Sequence, residues 1–170
     1  VSDVVGWVKK LKADGSFKKI YLLGHSEGAL IAMLAAQKEP VDGLVSVAGP
    51  ALPADSLLLQ QLSRQPGLYE LAKPAIDSLK TGKLVNQPPP MMLALFRKSV
   101  QPYLINWFRY DPLKEIKKLK VPILILHGSD DIQVPSQQAA MLADAADTAT
   151  EWHLINGMNH VLKQVNGEDE

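Results

Sequence analysis

The chain has 170 residues, of which 46% are hydrophobic and 21% charged, and it contains no cysteine. This is the composition of one globular domain, and the missing cysteines exclude disulfides, thiolate metal sites and cysteine nucleophiles. Lys plus Arg and Asp plus Glu each number 18, so the formal net charge is zero. A nucleic-acid binder needs a basic face, and a balanced charge therefore argues against that class. The longest apolar stretch, residues 29–36, is too short to span a bilayer.

The first 50 residues alternate between helical and strand patterns. Apolar residues recur at helical spacing over about 3–12, and Asp14-Gly15-Ser16 breaks that helix. The apolar run 19–23 predicts a strand buried on both faces, as in a parallel sheet. A helix over 29–38 and a second strand over 44–48 follow.

The remainder divides into a helical stretch and a second alternating region. Residues 51–110 carry prolines at 53, 66, 74, 88, 89, 90 and 102 and predict several short helices with no strand. Asp111 and Pro112 open a further helix in the manner of an N-cap followed by proline. Strands over 123–126 and 151–155 enclose a helix over 137–146. The predicted fold class is α/β, a mostly parallel sheet with flanking helices and a helical insertion at about 51–110.

The pattern Gly-x-Ser-x-Gly at residues 24–28 lies between a predicted strand and a predicted helix. This is the arrangement of a nucleophile elbow, in which a tight turn holds the serine in a strained conformation. Ser26 is therefore the candidate nucleophile. We expect both flanking glycines to be required because a Cβ there would meet the neighbouring strand or helix. The backbone N–H of Glu27, at the start of the helix, is a candidate oxyanion donor.

A serine nucleophile needs a base and an acid that orients the base, and both candidates follow later strands. Asp130 and Asp131 lie in the loop after the third strand, and His160 lies in the loop after the fourth. Active sites of open α/β sheets assemble at such loops, and Ser, Asp, His is the chain order of this class.

The other three histidines favour structural roles. His25 is expected to pack under the sheet or bond locally, His127 to hold the acid loop in shape, and His153 to serve as a sheet residue. No histidine pair has the spacing of a zinc site, so the sequence predicts neither a metal nor a cofactor.

Three segments together resemble the α/β-hydrolases, of the bacterial serine esterase and lysophospholipase-like kind. They are GHSEG at 24–28, the His-Gly-x-x-Asp-x-x-Val-Pro pattern at 127–135, and GMNH at 157–160. The resemblance implies that Asp131 is the acid and that Asp130 is a turn residue or a helper. It implies a serine hydrolase that cleaves carboxylic esters of small molecules through an acyl-enzyme. A serine peptidase or amidase with the same triad stays open.

In that family a cap or lid occupies the place of residues 51–110, so its apolar side chains are candidates for shaping an acyl pocket. The alternative is that they form the core of the insertion itself. These side chains are Met91, Met92, Leu95, Phe96, Tyr103, Ile105, Trp107 and Phe108.

The resemblance also implies strands upstream of the elbow and a second oxyanion donor in a loop that precedes it. This chain, which starts at Val1 without Met or a signal peptide, corresponds to the later part of that domain. Compartment stays open because an export signal would lie upstream. A second function class follows: a catalytically incomplete module that pairs through an exposed sheet edge near residues 19–23, as a homodimer.

Overall fold

The computed structural model describes residues 1–165 of the chain. The chain forms two compact units, one of Val1–Ala51 with the chain from Pro112 onward, and one of Leu52–Asp111. In chain order the helices and strands are α1 (Ser2–Asp14), β1 (Tyr21–His25), α2 (Glu27–Ala36), β2 (Gly43–Val47), α3 (Ala54–Leu62), α4 (Leu68–Lys80), a 3-10 turn (Pro90–Met92), α5 (Leu93–Phe96), α6 (Gln101–Trp107), α7 (Pro112–Lys117), β3 (Ile123–Gly128), α8 (Gln137–Ala145) and β4 (Thr150–Ile155).

The four strands form one parallel sheet in the order β1-β2-β3-β4. The register aligns Gly24 with Ser46, and Ser46 with Ile125. Because the strands are parallel, their carboxyl ends share one edge of the sheet. The loops that follow β1, β3 and β4 therefore meet there, although more than 100 residues separate the first from the last.

One face of the sheet is covered by α2, α7 and α8, which pack on alternate residues of the strands. Leu44, Ile123 and Ile125 are buried in this core. α2 is rich in small and apolar residues along its length, and Ala29, Ala32 and Ala35 are buried. Small side chains let the helix approach the strands closely, which positions the start of α2 directly after β1.

The prediction that the first strand is buried on both faces is wrong. Tyr21 and Leu23 of β1 are 56% and 67% exposed, and in β4 every residue from Glu151 to Ile155 is exposed. β1 and β4 are the outer strands of the described sheet, and the described helices pack on the other face of β1. An apolar run alone therefore did not distinguish an outer strand from a central one.

The unit Leu52–Asp111 contains helices and no strand within its described residues, as its prolines predicted. Its own apolar core includes Ile76, Phe96 and Leu104. Among the proposed acyl-pocket residues, six pack in or against this core, namely Met92, Leu95, Phe96, Ile105, Trp107 and Phe108. Met91 and Tyr103, by contrast, are 71% and 45% exposed. Within residues 1–165, no helix of either unit combines the length and apolarity that crossing a membrane requires.

Candidate active site

Ser26 is the single residue between the end of β1 and the start of α2. Its backbone has φ 54° and ψ −122°, a conformation that residues with a side chain rarely adopt. Two hydrogen bonds hold it there: its N–H donates to the Val47 carbonyl at 2.9 Å, and its carbonyl accepts from the Ala29 N–H at 3.0 Å. Such strain persists only where the surroundings enforce it, and here the neighbouring strand and the first helical turn both do so.

The two glycines of the elbow have different roles. A Cβ on Gly24 would lie 2.1 Å from the carbonyl oxygen of Gly28, so only glycine permits this approach of β1 to α2. Apart from its chain neighbours and the backbone of its own helix, a Cβ on Gly28 would have no heavy atom of the described residues within 4 Å. The prediction that both positions exclude a Cβ therefore holds for Gly24 and is wrong for Gly28. The close contact is made at the Gly28 backbone, and its Cβ position faces open space.

His160 brings together Ser26 and Asp131, which lie 105 residues apart in sequence. Its Nε2 lies 3.0 Å from Ser26 Oγ, and its Nδ1 lies 2.8 Å from Asp131 Oδ2. An ionised carboxylate only accepts hydrogen bonds, so Nδ1 carries the proton and Nε2 accepts from the serine hydroxyl. His160 and Asp131 are buried, and Ser26 is half-buried.

The Asp131 carboxylate is held by the loop that carries it. Its Oδ1 accepts from the N–H groups of Gln133 at 2.9 Å and Val134 at 2.8 Å. Burial by itself raises the pKa of this carboxyl. Hydrogen bonds from His127, the Val134 N–H and His160 outweigh burial and hold the pKa of Asp131 below its ordinary value of 3.8. Asp131 is therefore a carboxylate at neutral pH.

His127 supports this loop, as the sequence predicted. Its Nε2–H donates to the Val134 carbonyl at 2.9 Å and lies 3.4 Å from Asp131 Oδ2. The ring is fully buried, and its Nδ1 has no hydrogen-bond partner among the described residues. A carbonyl oxygen only accepts, so Nε2 of His127 carries a proton in this arrangement.

Asp130 is part of the neighbouring turn. Its Oδ1 accepts from Ser129 Oγ at 3.3 Å, and its N–H donates to the Met158 carbonyl at 3.1 Å. Asp131 is thus the one of the two adjacent acids whose described hydrogen bonds reach the His160 side chain. Asp130 bonds to the backbone at Met158, two residues before His160.

Asn159 organises the turn that carries His160, a role that the sequence reading did not assign. Its Oδ1 accepts from the N–H groups of Val161 at 3.1 Å and Lys163 at 3.0 Å. Its own N–H donates to the Lys163 carbonyl at 2.9 Å. Asparagine side chains often accept from backbone N–H groups two residues further on, so this residue type in a loop was an available signal.

Gly128 and Ser129 fix the same turn from the end of β3. A Cβ on Gly128 would lie 1.9 Å from the Met158 carbonyl oxygen. Ser129 Oγ accepts from the Gly157 N–H at 2.8 Å. The loop that carries Asp131 and the turn that carries His160 are therefore in direct contact.

The other two histidines differ in their placement. His25 was expected to pack under the sheet or bond locally, and this is wrong: its side chain is exposed, and its Nε2 lies 2.7 Å from the His160 carbonyl oxygen. Local sequence gave no sign of a partner 135 residues away. His153 lies in β4 with its side chain 62% exposed.

The backbone N–H of Glu27 is the first of α2, a helix of 10 residues. The N-terminus of a helix carries partial positive charge, which favours an anion beside Ser26. The part of the chain that the structure describes holds no cluster of three or more His, Asp or Glu side chains that could bind a metal ion.

Solved structures of other proteins share this fold, among them BpoC and Est1E. The chain superposes on BpoC from Mycobacterium tuberculosis H37Rv with a TM-score of 0.60 and 16% identity, over 95% of this chain and 65% of that one. On Est1E from Butyrivibrio proteoclasticus the TM-score is 0.56 and the identity 19%, over 89% and 58% of the two chains.

The sequence is also similar to that of a curated relative. It is 29% identical over 172 residues to the esterase EstD of Thermotoga maritima, which covers 99% of this chain and 40% of EstD. The chain thus spans less than half the length of that relative. A family model described as the alpha/beta hydrolase family matches residues 1–164. Together with the parallel sheet and the strained turn at Ser26, this match shows that the chain belongs to the alpha/beta hydrolase family.

Proposed function

We propose that this chain carries the catalytic triad of a serine esterase, with Ser26 as nucleophile, His160 as base and Asp131 as the orienting acid. The observation that carries the proposal is the placement of the His160 imidazole, 3.0 Å from the serine hydroxyl and 2.8 Å from the carboxylate. A base within hydrogen-bond reach of a hydroxyl, itself oriented by an acid, is the arrangement that activates a serine.

The reaction then proceeds in two halves. His160 Nε2 takes the Ser26 proton as Oγ attacks the ester carbonyl carbon, and Asp131 stabilises the resulting imidazolium. The imidazolium returns that proton to the leaving alkoxide, and the carbon–oxygen bond of the ester breaks to leave an acyl-serine. Water, deprotonated by His160, attacks the acyl carbon and releases the carboxylic acid and the free serine.

The negative oxygen that forms during each half needs hydrogen-bond donors. We assign one of them to the Glu27 backbone N–H, because it follows the nucleophile directly and begins α2. Loss of one such donor typically costs about 10²–10³ in kcat. The helix N-terminus adds a favourable electrostatic term at the same point.

The substrate class is a carboxylic ester of a small molecule. The similarity to an enzyme named as an esterase, EstD, supports an ester rather than an amide or peptide bond. The unit Leu52–Asp111 is proposed as the cap of the domain, since it is inserted between β2 and α7.

The deciding experiment compares hydrolysis of p-nitrophenyl acetate and butyrate by the wild type and three variants. Ser26→Ala and Asp131→Asn should each lose activity, by about 10³-fold or more. Asp130→Asn is the matched control, because the neighbouring carboxylate does not bond to the base. Equal rates for Ser26→Ala and wild type would remove Ser26 as nucleophile. A fluorophosphonate probe that labels wild type but not Ser26→Ala would establish the activated serine independently of ester preference.

A second proposal concerns the outer edge of β1. Among the described strands, β1 has one neighbour, β2. Outer strands with exposed apolar side chains invite pairing, and Leu23 is 67% exposed. We propose that two copies of the 170-residue chain associate through this strand. Light scattering should give a dimer for wild type and a monomer for Leu23→Lys, and a wild-type monomer would contradict the pairing.

A further inference from the structure

His25 immediately precedes the nucleophile, and its side chain reaches the backbone of the base. Its Nε2 lies 2.7 Å from the carbonyl oxygen of His160, and the two imidazole rings have centroids 5.0 Å apart. We propose that His25 is a positioning residue for the proposed triad, and that its hydrogen bond fixes the main chain of His160 relative to Ser26. The proposal rests on the proposed function for its catalytic consequence.

The direction of this hydrogen bond follows from its acceptor. A carbonyl oxygen can only accept, so His25 Nε2 carries a proton and donates it. At 2.7 Å the bond is at the short end of the range for a nitrogen donor. His25 therefore acts through the backbone of His160 and not on the reacting atoms.

With this bond, His160 is held at three separate atoms. Asp131 holds Nδ1 of the ring, Ser26 contacts Nε2, and His25 holds the carbonyl of the same residue. His25 and Ser26 are consecutive, so one short segment contacts both the ring and the main chain of the base. A shift of the His160 turn away from the elbow has to break both contacts.

The hydrogen bond from His25 holds a turn that is stabilised largely by its own local contacts. It is closed by hydrogen bonds that the Asn159 side-chain oxygen accepts from the N–H groups of Val161 and Lys163, further along the same turn. Its next two side chains, Val161 and Leu162, are 56% and 50% exposed, so they supply little packing against the sheet. Misplacement of a catalytic group by about 1 Å can cost roughly 10²-fold in rate, which gives a single positioning bond a measurable effect.

The test uses His25→Gln, His25→Asn and His25→Leu. The glutamine amide nitrogen occupies nearly the place of the imidazole Nε2 and can donate to the same carbonyl, whereas the asparagine amide is too short to reach it. Leucine keeps the bulk without a donor. We expect kcat for p-nitrophenyl butyrate to fall roughly ten- to a hundredfold in the leucine and asparagine variants, with KM nearly unchanged, and to recover in the glutamine variant. His153→Leu, which removes an exposed histidine elsewhere on the sheet, should match wild type.

Wild-type kcat in His25→Leu, or a loss in His25→Leu that glutamine does not restore, would overturn the proposal. The rate of fluorophosphonate labelling of Ser26 gives the same comparison without an ester substrate, so it separates failure of this proposal from a wrong substrate class. Should wild type neither hydrolyse nor label, the proposed function fails and the proton NMR signal of the His160 Nδ1–H decides the positioning role. That signal should shift or broaden in His25→Leu and return in His25→Gln, and an unmoved signal refutes the role.

Discussion

The Cα of Gly128 lies against the carbonyl oxygen of Met158 so closely that a Cβ would stand 1.9 Å from that oxygen. Gly128 ends β3, three residues before Asp131, and Met158 lies two residues before His160. The contact therefore sets the separation between the segment that carries Asp131 and the segment that carries His160. The hydrogen bond from the Asp130 N–H to the same carbonyl, at 3.1 Å, depends on this approach.

Gly128→Ala should push these two segments apart. We expect the free energy of unfolding to fall by about 1–3 kcal/mol, because the new methyl group meets backbone that cannot rotate away. Ester hydrolysis should fall with it, since the His160 turn moves relative to Asp131. Urea unfolding and kcat measure the two effects. The control is Gly6→Ala on α1, where a Cβ meets no heavy atom within 4 Å beyond its chain neighbours and the backbone of its own helix. The free energy of unfolding should rise there by about 0.5–1 kcal/mol.

The strained backbone at Ser26 should lower the free energy of unfolding, and a residue that relieves the strain should raise it. Ser26→Ala and Ser26→Gly both remove the hydroxyl, but only glycine adopts φ 54° and ψ −122° without steric conflict. We expect the glycine variant to be more stable than the alanine variant by about 1 kcal/mol, the relief of strain less the greater flexibility of unfolded glycine. Chemical denaturation of the pair checks this. Equal stability of the two variants would mean that the turn is unstrained.

Asp131 should make stability depend on pH in the acidic range. The pKa of its carboxyl in the folded chain is below the ordinary value of 3.8, so the folded state favours the carboxylate more than the unfolded state does. The contribution of Asp131 to the free energy of unfolding is fully present above the ordinary pKa of the carboxyl. It is lost as the pH falls through the lower pKa of the folded state. Wild type should therefore exceed Asp131→Asn in stability at pH 6, and the difference should shrink below pH 4. A difference that grows towards low pH would contradict the sign of the shift.

Asn159 should be needed for the turn and replaceable by a residue with the same acceptor. Asn159→Ala leaves the N–H groups of Val161 and Lys163 without their shared oxygen, which we expect to cost about 1–3 kcal/mol of stability and to lower kcat. Asn159→Asp keeps an oxygen at that place and should retain most of both. Thermal unfolding and ester hydrolysis of the two variants provide the comparison. An aspartate variant as impaired as the alanine variant would show that the acceptor does not hold the turn.

Local patterns predicted the elements because each pattern has a local cause. Helical spacing and a glycine break predicted α1, which the structure places at Ser2–Asp14. The prolines of residues 51–110 predicted short helices without a strand, and the structure has them. The elbow was predictable because a strand, a Gly-x-Ser-x-Gly turn and a small-residue helix follow one another directly along the chain. Exposure was not predictable, as Leu23 shows: its apolar neighbours in sequence do not reveal whether another strand or helix covers it.

The proposed triad could be predicted in part from the sequence, since chain order and loop placement selected Ser26 and His160. The two adjacent acids were separated only by resemblance at first, and in the structure by which carboxylate reaches the imidazole. The predictions for Gly28 and His25 were wrong because they depend on tertiary contacts. A Cβ at Gly28 would face open space, and His25 contacts a residue 135 positions away in sequence.

By itself, the sequence determined which residue types can do chemistry and which segments become strands and helices, because side-chain chemistry and local periodicity are properties of neighbouring residues. The tertiary structure alone decided which of those residues meet. The parallel register brings the ends of β1, β3 and β4 to one edge, and the close backbone contact of Gly128 with Met158 sets the distance that the Asp131–His160 hydrogen bond then bridges. Those contacts join segments far apart in sequence, so no local pattern contains them.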